Sequence, residues 1–290
     1  MRVAIIGGSG KMGQWFARFL LKDGKKLVLA GRNKKRLADI GEHLGVEVTT
    51  SLSSAVDGAD MVLISVPIDV FEEVVKKLQP YISKEQIVLD ITSTKIMPVD
   101  AMHRYLNTQL ILGTHPVFGP GAKGIHNQNF VLAPTSKEET RLAQRVQHYL
   151  ETRGARVTLM TPEEHDRMMA VILGLAHFIA IASADTLLNF NQLKQMAAIG
   201  GPTYKVLLTL AESVITEDPE LYTSLQMNLP RITEIEGLFL KSSQALADIV
   251  RNKNRQEFIN KMNTLKAKLE RDDPDFGKSY EDMYDLLENP

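Results

Sequence analysis

The chain has 290 residues, 44% apolar and 24% charged, with a formal net charge of -1. Such usage excludes a disordered chain, and near-neutrality leaves no global field to hold nucleic acid or an anionic membrane. The absence of cysteine removes disulfides, thiolate metal sites and a cysteine nucleophile together, and fits a reducing cytoplasm.

Up to about residue 160, short β-rich runs alternate with helical stretches. The chain opens as a strand entering a glycine turn, without the apolar core and cleavage site of a signal peptide. Strands are predicted at 3–6, 27–30, 61–66, 87–91, 110–113, 130–133 and 156–159. Several are unbroken runs of Val, Ile and Leu, as parallel strands covered on both faces should be. Amphipathic helices are predicted between them at 12–22, 34–44, 70–78 and 138–152, and the alternation argues for a doubly wound α/β sheet. After residue 160 the strand signal stops. Thr161 as cap, Pro162 at the first helical position and Glu164 three residues after the cap mark a helix start. A helical pattern then runs on, broken near Gly200-Gly201-Pro202, Asp218-Pro219 and Asp272-Asp273-Pro274. The expected architecture is a Rossmann-like α/β domain with a parallel-sheet core at 1–160 and an all-α domain at 161–290, for substrate and dimerisation. The apolar stretch 168–184, interrupted by His177, is too short for a convincing membrane span and is expected to be a helix buried in a homodimer.

Gly8, Gly10 and Gly13 form a G-x-G-x-x-G between the first strand and first helix, and Gly7-x-x-Gly10-x-x-Gly13 is an equally available frame. One glycine makes the tight turn, another lets backbone approach a pyrophosphate, and a third packs helix on strand. The helix N-terminus then favours the phosphates. Gly7, Gly8, Ser9, Gly10, Lys11, Met12 and Gly13 are therefore expected to hold a dinucleotide, with Val66 and Pro67 at the end of the third predicted strand beside them. Where NAD-preferring sites usually carry an acidic residue, at the end of the second strand, this chain has Gly31-Arg32-Asn33-Lys34-Lys35-Arg36. Arg32, Asn33 and Lys35 at that edge suit a 2′-phosphate, so NADP is favoured, with NAD possible.

Ligands in such sheets bind beyond the carboxyl ends of the strands. Ser93 and Lys95 follow one strand and His115 ends another, so a hydroxyl, a lysine and an imidazole reach that face. His115 is the sharpest candidate, because imidazole takes a proton near neutral pH, as hydride abstraction from a carbinol carbon requires. The sequence offers no convincing metal cluster.

The glycine turn, Ser65-Val66-Pro67, Asp90-x-x-Ser93-x-Lys95, Thr114-His115-Pro116-Val117-Phe118-Gly119-Pro120 and Glu164-His165-Asp166 together resemble the prephenate/arogenate dehydrogenase family of tyrosine biosynthesis. The resemblance runs from residue 1 to about 260. It implies oxidative decarboxylation of prephenate or arogenate with hydride transfer to NAD(P). It further implies that His115 bonds the substrate's ring hydroxyl, that Ser93 positions it, and that His177 lies near the substrate. Twelve residues put His165 and His177 about a third of a turn apart, so spacing alone does not give them one face. One departure stands out: six residues before the proline of Asp218-Pro219, where the family places an arginine for a substrate carboxylate, this chain has Ser213. Lys205, Lys123, Arg167 and Arg231 are candidate replacements, and Lys95 and Lys205 are taken as substrate-binding. Rival readings are a β-hydroxyacid dehydrogenase, a deazaflavin reductase, or a regulator that binds NADP without turnover. The first two lack the His-Pro-x-Phe-Gly and Glu-His-Asp combination.

Overall fold

A computed structural model describes residues 1–288. Its contacts divide the chain into two compact units, 1–169 with 227–230, and 170–226 with 231–290. The boundary expected at 160/161 and this division differ by nine residues, because Pro162–Met169 packs with the sheet unit.

The first unit is an eight-stranded sheet: β1 Arg2–Ile6, β2 Lys26–Ala30, β3 Glu47–Thr49, β4 Met61–Ile64, β5 Ile87–Asp90, β6 Ile111–Pro116, β7 Asn129–Ala133 and β8 Arg156–Leu159. Their order is β3-β2-β1-β4-β5-β6-β7-β8. The first six, in the order 3-2-1-4-5-6, form the dinucleotide-binding arrangement. Between them come α1 Lys11–Lys22, α2 Lys34–Leu44, α3 Leu52–Val56, α4 Phe71–Leu78, α5 Ile96–Tyr105 and α6 Lys137–Glu151, and α7 Pro162–Met169 follows β8.

Period-two alternation explains the double-sided burial. In β1, Val3 and Ile5 join the core under α1 with Trp15, Phe16 and Leu20, whereas Ala4 and Ile6 join the opposite core with Phe71, Val75 and Leu78 of α4. β1, β2, β3, β4, β5 and β6 are parallel, but β6 and β7 are antiparallel. No helix lies between β6 and β7, and a parallel neighbour would require a crossover. β3 was not anticipated, and the strand predicted through Val66 ends at Ile64.

The α7 start forms as a reciprocal capping box. Glu164 N donates to Thr161 Oγ1 at 3.2 Å, and Thr161 N donates to Glu164 Oε2 at 2.9 Å.

The second unit is helical: a π-helical segment Ala170–Leu175, then α8 Ala176–Leu188, α9 Leu193–Ile199, α10 Pro202–Ile215, α11 Pro219–Asn228 (whose last two residues group with the first unit), α12 Ile232–Arg251, α13 Arg255–Asp272 and α14 Ser279–Glu288. The helical run Pro162–Leu188 has 27 residues and a mean hydropathy of 1.9 in its most apolar window. By length and composition alone this helix could cross a membrane, a test that the core helix of a globular protein also passes.

Candidate active site

The glycine turn is built around Gly7. Its φ of +87° lies in the left-handed region, and a Cβ there would stand 2.0 Å from the Ser65 carbonyl oxygen, so only glycine lets β1 turn beside the end of β4. Gly10 N donates to Gly7 O at 2.9 Å, and a Cβ on Gly13 would stand 2.6 Å from that same oxygen. A Cβ on Gly8 would meet Leu29 at 2.7 Å, so the two glycine frames are used together. Val66 lies against Gly7, and Pro67 precedes the short helical turn Ile68–Val70. α1 begins at Lys11 with no side-chain cap and no acidic residue in its first turn, so its N-terminal end favours an anion. A cradle of this form fits a dinucleotide pyrophosphate.

At the end of β2, Ser9 Oγ lies 3.1 Å from where a Gly31 Cβ would be, so the glycine turn and the basic segment meet. Asn33 caps α2 by accepting from Arg36 N at 3.0 Å. Its carbonyl oxygen is thereby committed to the helix. Arg32, Lys34, Lys35 and Arg36 are all exposed, and the first turn of α2 has no acidic residue.

Asp90, at the end of β5, is fully buried. It accepts from Thr92 N at 2.9 Å, from Thr114 N at 3.3 Å, and from the Lys95 ammonium. Lys95 is also fully buried, and its Nζ donates to Thr114 O at 2.7 Å and Thr92 Oγ1 at 3.2 Å. A Cβ on Gly113 would lie 3.2 Å from Lys95 Cδ, so that glycine makes room for the lysine stem. Burial pulls the ammonium below its ordinary pKa, with Asp90 opposing. Lys95 is therefore not a substrate contact. All its donors are spent locking the ends of β5 and β6 together.

That lock positions His115, 4% exposed in β6. His115 Nδ1 lies 2.9 Å from His165 Nε2, and His165 Nδ1 lies 2.7 Å from Asp166 Oδ1. Asp166 in turn accepts from Lys95 N at 2.6 Å and Ile96 N at 2.9 Å, capping α5 across 70 residues of sequence. The hydrogen-bond chain fixes the tautomers. Asp166 is an acceptor, so His165 Nδ1 donates to it and His165 Nε2 accepts from His115 Nδ1–H. The lone pair of His115 then sits on Nε2, which makes no protein hydrogen bond among the described residues. Burial, aided by His165 and Lys95, holds the His115 pKa well below the ordinary histidine value. The imidazole is a neutral base at physiological pH.

Ser93 is half-buried in the loop after β5, and no hydrogen bond joins it to His115. His177 and Lys205 belong to the helical unit. The His177 ring stands edge-on to Tyr222 at 4.7 Å, its Nδ1 is buried without a partner, and burial lowers its pKa. Lys205 is exposed, as are Lys123 and Arg167, whereas Arg231 pairs with Glu234 at 2.7 Å. Ser213 donates to Leu210 O at 2.9 Å. No group of three or more metal-ligating side chains occurs among the described residues.

Two family models match, prephenate dehydrogenase nucleotide-binding domain at residues 16–159 and prephenate dehydrogenase dimerization domain at 161–264. The chain belongs to the prephenate dehydrogenase family. Among its relatives in that family is a probable arogenate/prephenate dehydrogenase of Methanocaldococcus jannaschii, 34% identical over 262 residues, covering 89% of this chain and 59% of the relative. The T-protein of Haemophilus influenzae is 29% identical over 266 residues, covering 89% and 64%. The chain thus spans about three fifths of the length of these curated relatives. The prephenate dehydrogenase of Aquifex aeolicus, solved with hydroxyphenyl propionate and NAD+, superposes with a TM-score of 0.78 at 25% identity, covering 94% of this chain and 98% of that one. The Synechocystis arogenate dehydrogenase shares the fold, with a TM-score of 0.71 at 21% identity over 93% and 99% of the two chains.

Proposed function

We propose that this member of the prephenate dehydrogenase family carries out oxidative decarboxylation of prephenate or arogenate. The observation that supports this most is the hydrogen-bonded series His115–His165–Asp166, which leaves a neutral imidazole nitrogen free at the carboxyl end of the sheet. Family membership and the printed names of the relatives point to the same reaction.

A bound NAD(P) would supply the acceptor for hydride from the ring carbon that bears the hydroxyl. His115 Nε2 accepts the hydroxyl proton as that carbon becomes a carbonyl. His165 accepts from His115 Nδ1–H, and the Asp166 carboxylate stabilises the positive charge spread over the pair. Loss of carbon dioxide then aromatises the ring, and the proton on His115 returns to the phenolic oxygen. Aromatisation supplies the driving force, so the protein contributes orientation, a base and electrostatics. Ser93 is assigned to the substrate hydroxyl.

Gly7 to Gly13 hold the pyrophosphate, and Arg32 and Lys35 favour NADP over NAD by neutralising a 2′-phosphate. The enzyme is proposed to be a cytoplasmic homodimer. The match to a dimerization domain and the exposed apolar side chains of the second unit, among them Ile172, Leu188 and Leu238, support a second copy as their cover. The test is formation of reduced nicotinamide from prephenate or arogenate, each with NAD and with NADP. Turnover of neither substrate by the intact protein overturns the reading, and a stable monomer at micromolar concentration in sedimentation overturns the dimer.

A further inference from the structure

A cavity of about 270 Å³ lies in the sheet unit, away from the His115 series. Its walls include Phe16, Phe19, Leu63, Leu89, Phe130 and Val146, contributed by α1, α6 and the sheet strands beneath them. Thr114, the residue before His115, is part of the wall. An apolar cavity of ~150 Å³ already accommodates a benzene ring, so this one has room for a ring with a short arm or a chain of about eight carbons.

The only charged side chains that line it are cationic, Lys25 and Arg145. Arg145 is exposed and pairs with no carboxylate among the described residues. Its helical neighbours three and four residues away are Arg141, Leu142, His148 and Tyr149, none of them acidic. Lys25 lies 3.4 Å from Asp23, but that carboxylate also accepts from Arg153 Nε at 3.1 Å and from Tyr149 Oη at 2.9 Å. Lys25, Arg145 and Arg153 therefore stand against the single carboxylate of Asp23, an excess of two positive charges beside an apolar chamber.

We propose that this cavity binds an amphipathic monocarboxylate, with an apolar body among the phenylalanines and leucines and its carboxylate on Arg145 and Lys25. The site is separate from the glycine turn and from His115, and the inference does not rest on the proposed reaction. An occupant packs against β6, the strand that carries His115.

The single tryptophan of the chain reports on it. Trp15 stacks on Phe19 at 5.7 Å and meets Phe16 edge-on at 5.1 Å, and both phenylalanines line the cavity. Octanoate titrated into the full chain should change Trp15 fluorescence saturably, with calorimetry giving one molecule per chain, and saturating NADP should not compete. Arg145→Ala combined with Lys25→Ala should weaken octanoate roughly tenfold or more, the effect of losing a charged hydrogen bond, and leave octanol unaffected. Should the double variant misfold, Arg145→Ala alone, a surface change, carries the comparison. The proposal is overturned by no saturable change at millimolar octanoate, by equal octanoate affinity in wild type and variant, or by displacement with NADP.

Discussion

Replacing Asp166 with asparagine keeps the shape of the His115 series and removes its charge. Asp166 Oδ1 accepts from two donors, Lys95 N at 2.6 Å and His165 Nδ1 at 2.7 Å, whereas Oδ2 accepts only from Ile96 N at 2.9 Å. An amide nitrogen at the first position would face two donors and at the second only one, so the amide settles with its nitrogen toward Ile96. The Ile96 N–H then loses its acceptor, which costs about 1–3 kcal/mol of stability. Both histidines keep their tautomers. What disappears is the negative charge that stabilises the pair as the proton arrives on His115. A hydrogen bond to a charged group is worth ~1.5–3 kcal/mol, which sets the expected fall in kcat at roughly ten- to hundredfold. Cofactor KM should hold. Initial-rate kinetics and thermal melting on the same preparation make the measurement. If Asp166→Asn lowers the melting temperature but leaves kcat within about twofold, Asp166 only caps α5, and the electrostatic argument fails.

His115→Asn should lower turnover about a hundredfold to ten-thousandfold with cofactor affinity intact. Because the wild-type base works deprotonated and burial depresses its pKa, the acid limb of kcat/KM should lie below the ordinary histidine value of about 6.5; a limb at or above it would refute the buried-base assignment. Arg32→Asp with Lys35→Ala should weaken NADP roughly ten- to hundredfold and spare NAD, and equal losses in a binding titration would reduce these residues to a solvated helix start. Lys95→Met leaves Asp90 charged and buried, and should cost ~3–5 kcal/mol in denaturant unfolding. A shift below about 1 kcal/mol would contradict the buried pair.

The strand runs, the glycine turn and the Thr161 capping box were legible because each is local: β-branched runs, glycines at fixed offsets, a cap followed by glutamate. β3 escaped notice because Glu47-Val48-Thr49 is only three residues long and half-exposed. The antiparallel turn into β7 left no signal in the composition of either strand. Lys95 was misjudged for a different reason. Sequence places it beyond a strand end, but not whether its stem folds back under Gly113 to Asp90. The partnership of His115 with His165 spans 50 residues, and no periodicity encodes a contact of that range. The Glu-His-Asp motif was visible throughout, yet only the fold shows that its histidine and aspartate, on α7, form a hydrogen-bonded series with His115 on β6.

The long-range cap on α5 also bears on where this molecule can be cut. A fragment ending at residue 160, at the close of the nucleotide-binding family match, keeps every strand of the sheet. It would nevertheless strip Lys95 N, Ile96 N and His115 Nδ1 of their acceptors, because all three bond to His165 or Asp166. Each orphaned donor costs ~1–3 kcal/mol, a total comparable with the stability of a whole domain. A nucleotide-binding fragment meant to fold alone should therefore extend through Met169, carrying with it nine residues that sequence grammar assigns to the helical half.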